Sequence, residues 1–319
     1  MPRPPVYYTT PFGEAHHGDS LDLLRDLPDG SVNLVMTSPP FALHFKKEYG
    51  NESQKDYIPW FCAFAREVKR VLRDDGSFVI DIGGAWEPGQ PTRSLYQFKL
   101  LITLVEELGY HLAQEFFWHN PGKMPAPAEW VTVRRIRVKD SVNCVWWLSR
   151  TPWPKADNKR VLVPYSPDME RLIKRGYKAK QRPSGHNVTE KWGKDQGGAI
   201  CSNLFTYGNN DSNGFYLKRC KEAEVKPHPA RFPPQLPEFF INFLTDPGDL
   251  VVDIFGGSNT TGATAERLGR KWAICEQNED YLKGSRFRFE ADDTPVDGEA
   301  PTKGQTSLFQ PTPGPAPGK

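Results

Sequence analysis

Near the start of this chain an apolar run, Leu34 to Met36, leads into Ser38-Pro39-Pro40-Phe41 within the stretch NLVMTSPPFALHFKKEYGN. Two adjacent prolines withdraw two backbone donors, and a phenylalanine beside them does little for a core. Taken alone, the tetrapeptide fits a proline-terminated edge strand as well as a binding loop. A second stretch, DLVVDIFGGSNTTGATAERLGRKWAICEQNEDYL, covers residues 249 to 282. It reads as a strand ending at Asp253, a Gly256-Gly257 turn, a helix opening near Ser258 to Thr261, and a second strand ending on Glu276. Glycines at such a turn let the backbone approach a ligand closely, and a carboxylate closing the next strand can accept hydrogen bonds from ribose hydroxyls. The pattern describes a nucleoside site at the carboxyl edge of a sheet, although a glycine pair alone also serves as a structural turn. The Gly-x-Gly-x-x-Gly spacing that cradles a pyrophosphate is absent, so a ligand with adenosine but no phosphates fits better than NAD.

The elements that must position these groups follow from periodicity. Strands are expected at Phe12 to His16, Val32 to Thr37, Ser77 to Ile82, His111 to His119, Val142 to Ser149, Leu250 to Ile254 and Lys271 to Glu276. Helical patterns lie between them at Ser20 to Asp26, Lys55 to Leu72, Arg93 to Leu108, Pro237 to Thr245, Asn259 to Leu268 and Glu279 to Phe289. This alternation predicts an α/β fold, doubly wound around a seven-stranded, mostly parallel sheet. Asp81, in SFVIDIGG, ends the strand expected beside the one that carries Ser38; simple capping of a strand end would also account for it.

The five cysteines are odd in number and show no Cys-x-x-Cys spacing, which argues against both zinc and disulfides. No signal segment opens the chain and no apolar run reaches the length of a membrane span, so a cytoplasmic protein is expected. The net charge of +2 hides an asymmetry: residues 121–231 hold 22 Lys and Arg against 10 Asp and Glu, inside an acidic remainder. Such a block suits a polyanion partner, or else forms a solvated basic face. Residues 151–225 are rich in turn residues and lack sustained periodicity, and from about residue 291 the chain is rich in Pro, Gly and Thr, a composition that predicts disorder.

Asp253-x-Phe255-x-Gly257 together with Ser38-Pro39-Pro40-Phe41 resembles the amino-group DNA methyltransferases that use S-adenosylmethionine. The Ser-Pro-Pro-Phe form is similar to their cytosine-N4 type; adenine-N6 enzymes usually carry Asp-Pro-Pro-Tyr. The resemblance is closest to the PvuII-type cytosine-N4 enzymes and covers roughly residues 12 to 290, including KKEYGN, RPSGH and HPARFP. It implies a Rossmann-like methyltransferase sheet. Because the catalytic loop at residue 38 precedes the cofactor loop at 255, the chain reads as a circular permutation, as in the family's β group. The expected parts are then a catalytic half at 1–120, sheet strands and a target-recognition region at 121–225, a cofactor half at 226–290, and a disordered tail at 291–319.

On this reading Ser38 Oγ and the Pro39 carbonyl accept hydrogen bonds from the target amino group. Pro40 helps to fix the loop, Phe41 stacks on a base rotated out of the duplex, and Asp81 takes the departing proton through Ser38. Asp19 is placed to accept from the adenine amino group of the cofactor, and Arg231 and Phe232 to cover its methionine part. Arg134, Arg135, Arg137 and Lys139, the last three on one face of an expected strand, and Arg182, Ser184 and His186 in the loop-rich insertion are expected to contact DNA. None of the five cysteines follows a proline, which argues against cytosine-C5 chemistry and its thiolate nucleophile. The expected partner is double-stranded DNA and the expected role is the modification enzyme of a restriction-modification system, acting as a monomer without a metal. An adenine-N6 enzyme, an RNA methyltransferase of the same fold and a non-enzymatic DNA-binding module are the competing readings. QTSLF, Gln305 to Phe309, resembles peptides that bind bacterial sliding clamps, a second expected partner.

Overall fold

The structure, a computed structural model, describes residues 2–42, 50, 52–176, 180–181, 187–188, 194–209 and 214–290. Arg182, Ser184, His186, most of KKEYGN, the QTSLF peptide and the whole tail therefore lie outside the described residues. In chain order the elements are β1 (Val6–Thr9), β2 (Gly13–His17), α1 (Ser20–Asp26), β3 (Val32–Thr37), α2 (Tyr57–Val71), β4 (Leu72–Ile82), α3 (Tyr96–Ile102), β5 (His111–His119), β6 (Val142–Ser149), α4 (Pro167–Arg175), β7 (Lys180–Gln181), β8 (Asn187–Val188), β9 (Leu204–Thr206), α5 (Phe215–Glu222), α6 (Gln235–Leu244), β10 (Leu250–Asp253), α7 (Thr260–Arg267), β11 (Lys271–Glu276) and α8 (Glu279–Ser285).

Residues up to 156 and from 203 to 290 form one compact unit; the rest of the described chain, within 157–202, forms a second. The first holds a sheet in the order β1-β2-β11-β10-β3-β4-β6-β5-β9. Strands β2, β11, β10, β3 and β4 are mutually parallel, so all five end at the same edge. The chain leaves β3 through α2 toward β4 on one side and β10 through α7 toward β11 on the other. The order thus reverses between β10 and β3, the place where open α/β sheets form a ligand crevice.

Strand β3 is buried at Val32, Leu34, Val35, Met36 and Thr37. Successive strand residues face opposite sides, so both faces of β3 are covered, as a central parallel strand requires. Leu24 of α1, Tyr57, Phe61, Ala65 and Val68 of α2, and Phe78 and Ile80 of β4 belong to the same apolar cluster as Val35.

The seven expected strands are all present and form the middle of a sheet that has nine strands among the described residues. The added edges are β1, paired antiparallel with β2, and the three-residue β9, paired with β5. Both are short, and their first and last residues are exposed, so neither has an apolar run long enough to betray it. The strand expected through Arg135, Arg137 and Lys139 is not formed. A π-helical turn occupies Glu129–Val133, Arg135 sits at φ 54°, and the Trp130 carbonyl accepts from the amides of both Ile136 and Arg137, which folds the chain back on itself.

In the second unit α4 buries no side chain, so it has no apolar stripe to find. Its ends carry the signals instead: the Ser166 side chain accepts from the Met169 amide, Pro167 stands in the first turn, and Gly176 closes the helix.

The N-terminal hairpin docks through β2 onto β11, with Gly13 opposite Trp272. A Cβ on Gly13 would overlap the Trp272 ring and carbonyl. Gly13→Ala is therefore expected to lower stability by about 1–3 kcal/mol, the usual cost of overpacking, as measured by urea unfolding.

Candidate functional site

The parallel register carries the motif residues to one edge: Asp19 after β2, Glu276 at the end of β11, Asp253 at the end of β10, Ser38 just past β3 and Asp81 near the end of β4. They line a single cavity of about 900 Å³. Pro39, Pro40, Phe41, Arg231, Phe232, Phe255, Gly256, Gly257 and Ser258 line it as well.

At one end of the cavity Ser38 Oγ donates to Asp81 Oδ2 at 3.0 Å. The other carboxylate oxygen accepts from Asn143 Nδ2 at 3.1 Å, and Asn143 Oδ1 in turn accepts from Lys123 Nζ at 3.2 Å. Asp81 is 2% exposed. Burial pushes its carboxyl up to about 6, while the hydrogen bonds from Asn143 and Ser38 and the Lys123 charge pull the other way. Burial likewise lowers the Lys123 ammonium, opposed by Asp81 and Asp140. The Phe41 ring lies so close over Gly83 that any side chain there would strike it.

At the other end the Asp253 carboxylate accepts from Thr37 Oγ1 and Thr261 Oγ1, each at 2.7 Å, and from the Phe255 amide at 3.0 Å. It is buried, and its three donors come from β3, the glycine turn and α7, so it orders the loops around it. Burial raises its carboxyl, and the same three hydrogen bonds oppose that. Glu276 is raised by burial too, but each of its oxygens accepts one amide, from Gly257 and from Asn278, both at 2.8 Å. A carboxylate oxygen has two lone pairs, so Glu276 retains capacity for further donors.

Gly257 adopts φ 50°, and a Cβ there would meet the His228 ring at 3.4 Å. Asp19 caps α1 by accepting from the Leu21 amide at 2.8 Å. The Phe255 ring is wedged among Trp60, Phe61 and Phe64, with centroids 5.2–6.4 Å away.

Asn259 is the exception among the expected ligand residues: it does not line the cavity. Its φ of 55° turns the side chain onto α7, where Oδ1 accepts from the Gly262 amide and Nδ2 donates to the Tyr8 hydroxyl. Helix capping consumes it. Arg134, Arg135, Arg137 and Lys139 also stand apart from the cavity lining. Arg134 pairs with Glu129 and lies over the Trp130 ring, Arg137 pairs with Asp140, and Lys139 Nζ donates to the Pro121 and Lys123 carbonyls.

The family model described as DNA methylase matches residues 32–287. The chain belongs to that family. It is 55% identical over 285 residues to the type II methyltransferase M.PvuII of Proteus hauseri, covering 88% of this chain and 85% of the relative. A solved structure of the PvuII DNA methyltransferase (cytosine-N4-specific) superimposes with a TM-score of 0.74 at 48% identity, over 92% of this chain and 91% of that one. A putative DNA modification methylase from Thermus thermophilus, solved in complex with S-adenosyl-L-methionine, shares the fold at 18% identity, with a TM-score of 0.54 over 88% of this chain and 95% of that one.

Sequence reasoning did not find several residues of this methylase cavity: Trp60, Trp118, Asn120, Lys123, Asn143 and His228 line it as well. Asn143 left a trace, being a polar residue inside the apolar strand VNCVWWLS, and it is 7% exposed. Lys123 left none. His228 lies within the KPHPARFP run; burial first, and then the Arg231 and Arg288 charges, push its imidazole down to about 4, so it is neutral at physiological pH.

A carboxyl raised in the folded state holds its proton longer there than in the unfolded chain. The stability it contributes is therefore full below the ordinary value of 3.8 and is lost as pH rises through about 6. Asp81→Asn removes that slope. Urea unfolding at pH 4 and pH 8 is expected to show the variant gaining on the wild type toward high pH, by a difference on the order of 3 kcal/mol.

Proposed function

We propose that this methylase is a cytosine-N4-specific DNA methyltransferase, the modification enzyme of a type II restriction-modification pair, and that S-adenosyl-L-methionine is its methyl donor. The observation that carries the reading is the Ser38 to Asp81 hydrogen bond at the root of a Ser-Pro-Pro-Phe loop, in a chain more than half identical to a type II methyltransferase.

The other end of the cavity suits the donor. Glu276 has acceptor capacity for ribose hydroxyls, Asp19 stands two strands from Asp253, and Gly256 and Gly257 present bare backbone to the cavity, packed so closely that a Cβ would meet Ile274 or His228. Phe255, Ser258, Arg231 and Phe232 complete the wall that would hold it. The volume of about 900 Å³ is near the upper end for a single small-molecule site, room for a nucleoside cofactor and an incoming base. When bound, S-adenosyl-L-methionine supplies an electrophilic methyl group on a sulfonium.

Cytosine N4 is a poor nucleophile because its lone pair is delocalised into the ring. Acceptors that grip both of its N–H groups favour the tetrahedral nitrogen from which attack is easier. The Ser38 hydroxyl hydrogen is committed to Asp81, which leaves its oxygen lone pairs for the amino group. The Pro39 carbonyl supplies the second acceptor, in a loop where the prolines present no competing N–H. Forming the N–C bond as the methyl–sulfur bond breaks, with a neutral thioether as leaving group, would make the nitrogen cationic and strongly acidic. Its proton passes to Ser38 Oγ while the Ser38 proton moves to Asp81, so the pair ends with a neutral carboxyl. Asn143 and Lys123 hold Asp81 in place and favour its ionised form before transfer.

Single-turnover transfer of labelled methyl to plasmid DNA, followed by digestion to nucleosides, is expected to yield N4-methylcytosine; N6-methyladenine would overturn the assignment. Ser38→Ala is expected to lower kcat by roughly 10²-fold or more while donor binding, read by calorimetry, is unchanged.

Ionised Asp81 is the base, so the transfer rate is expected to rise with pH through about 6. Lys123→Met, which removes a charge that lowers the Asp81 carboxyl, is expected to move this limb to higher pH, and Lys123→Arg to restore it. A limb that does not move would remove Lys123 from the account.

A further inference from the structure

Strands β5 and β6 are joined by residues 120–141, and this connection leaves the same sheet edge that bears the cavity. Its root is part of the cavity wall, through Asn120 and Lys123. The Asn120 amide donates to the Ser141 carbonyl at 2.8 Å and closes the base of the loop. Higher up, Trp130 is buried and its carbonyl takes the Ile136 and Arg137 amides, while Asp140 is gripped by both Arg93 and Arg137. The loop is braced throughout.

A braced loop at a site mouth ordinarily turns polar groups to water. This one exposes apolar side chains among its cations: Val133 is 70%, Ile136 60% and Val138 85% exposed. Single exposed apolar residues need no explanation, but three within six positions, on a backbone held by this many hydrogen bonds, form a rigid apolar tip. Cations flank it, with Arg134 laid over Trp130 and Arg135 exposed at positive φ.

We infer that this tip is a wedge for duplex DNA: Ile136 and Val138 enter the base stack next to the target nucleotide and fill the space it vacates, while Arg134 and Arg135 rest on the adjoining phosphates. The inference rests on the function proposed above, since a base must leave the stack to reach Ser38. Extruding a base breaks stacking and pairing on both sides, and apolar side chains inserted between base steps offset that loss by covering the exposed faces. The occupant follows from charge. The tip lies in the block of residues 121–231, which carries 22 basic against 10 acidic residues, as a polyanion requires. A second copy of this chain would bring the same cations face to face across a two-fold axis.

The test uses the full chain and a duplex containing its own target sequence, found by base-resolved modification calling on plasmid from an expressing host. Ile136→Ser with Val138→Ser replaces exposed side chains only, and unaltered thermal unfolding checks that the fold is intact. With 2-aminopurine at the target position, the wild type is expected to give the fluorescence rise of an extruded base and the double variant to lose most of it. Methyl transfer to the matched duplex is expected to slow by roughly tenfold or more, because unstacking is worth a few factors of ten in equilibrium. An abasic site opposite the target, which lowers the cost of extrusion, is expected to return the variant to near the wild-type rate. Wild-type fluorescence in the variant overturns the inference. So does equal loss on matched and abasic duplexes, or a wild-type dimer that the substitutions dissociate in sedimentation. A wild type that makes no N4-methylcytosine in any duplex would instead bring down the proposed function.

Discussion

Thr37 Oγ1 reaches across from β3 to the Asp253 carboxylate at the end of β10, joining residues 216 apart in the chain at 2.7 Å. The next residue along β3 is Ser38, and two residues past Asp253 comes Phe255, whose amide the same carboxylate holds. Through Thr261 it also fixes the first turn of α7. One buried carboxylate therefore sets the catalytic loop, the glycine turn and the helix behind it at a common distance. A charge out of water is expensive unless its oxygens are satisfied, and the three donors here meet that demand.

Asp81, two strands away from Asp253 in the sheet, is buried to the same degree and serves otherwise. Its partners are two neutral side chains, one of them the hydroxyl of Ser38. Burial pushes its carboxyl up to about 6, inside the range where it can change protonation during turnover. Burial raises both carboxyls, and the two differ in their partners: Asp253 holds backbone and threonines of three elements, Asp81 the serine of the catalytic loop. The Lys123 to Asn143 arm adds a distant positive charge without a direct ion pair, so the proton can still arrive.

The two edges of the crevice divide the work along the sheet. Parallel strands ending together bring acids and glycines to the same edge, whereas the antiparallel β6 starts there, placing Asn143 beside Asp81. The β5 to β6 connection necessarily emerges at that edge as well. This is why the basic loop with the apolar tip stands next to the cavity, although none of its arginines lines it.

Much of the fold is legible in the sequence. Alternating apolar runs are a local property of a strand, so the seven central strands and their helices follow from period alone, most ends matching to within a few residues, although β4 starts at Leu72 rather than Ser77 and α3 stops at Ile102 rather than Leu108. Ser38, Asp81, Glu276 and the glycine turn declare themselves because each breaks an apolar pattern at a strand end. What the chain could not announce is which residues meet through space. Asn143 and Lys123 become partners of Asp81 only because β6 runs antiparallel beside β4, a choice made by the packing of the whole sheet. Asn259 reads as a ligand residue from its place after the glycines, yet a left-handed backbone commits it to capping α7. Arg135 to Lys139 has the alternation of a strand, but among the described residues no neighbouring strand pairs with it, and the Trp130 carbonyl captures the Ile136 and Arg137 amides instead. Residue type and period are local; hydrogen-bond partners are assigned by tertiary structure.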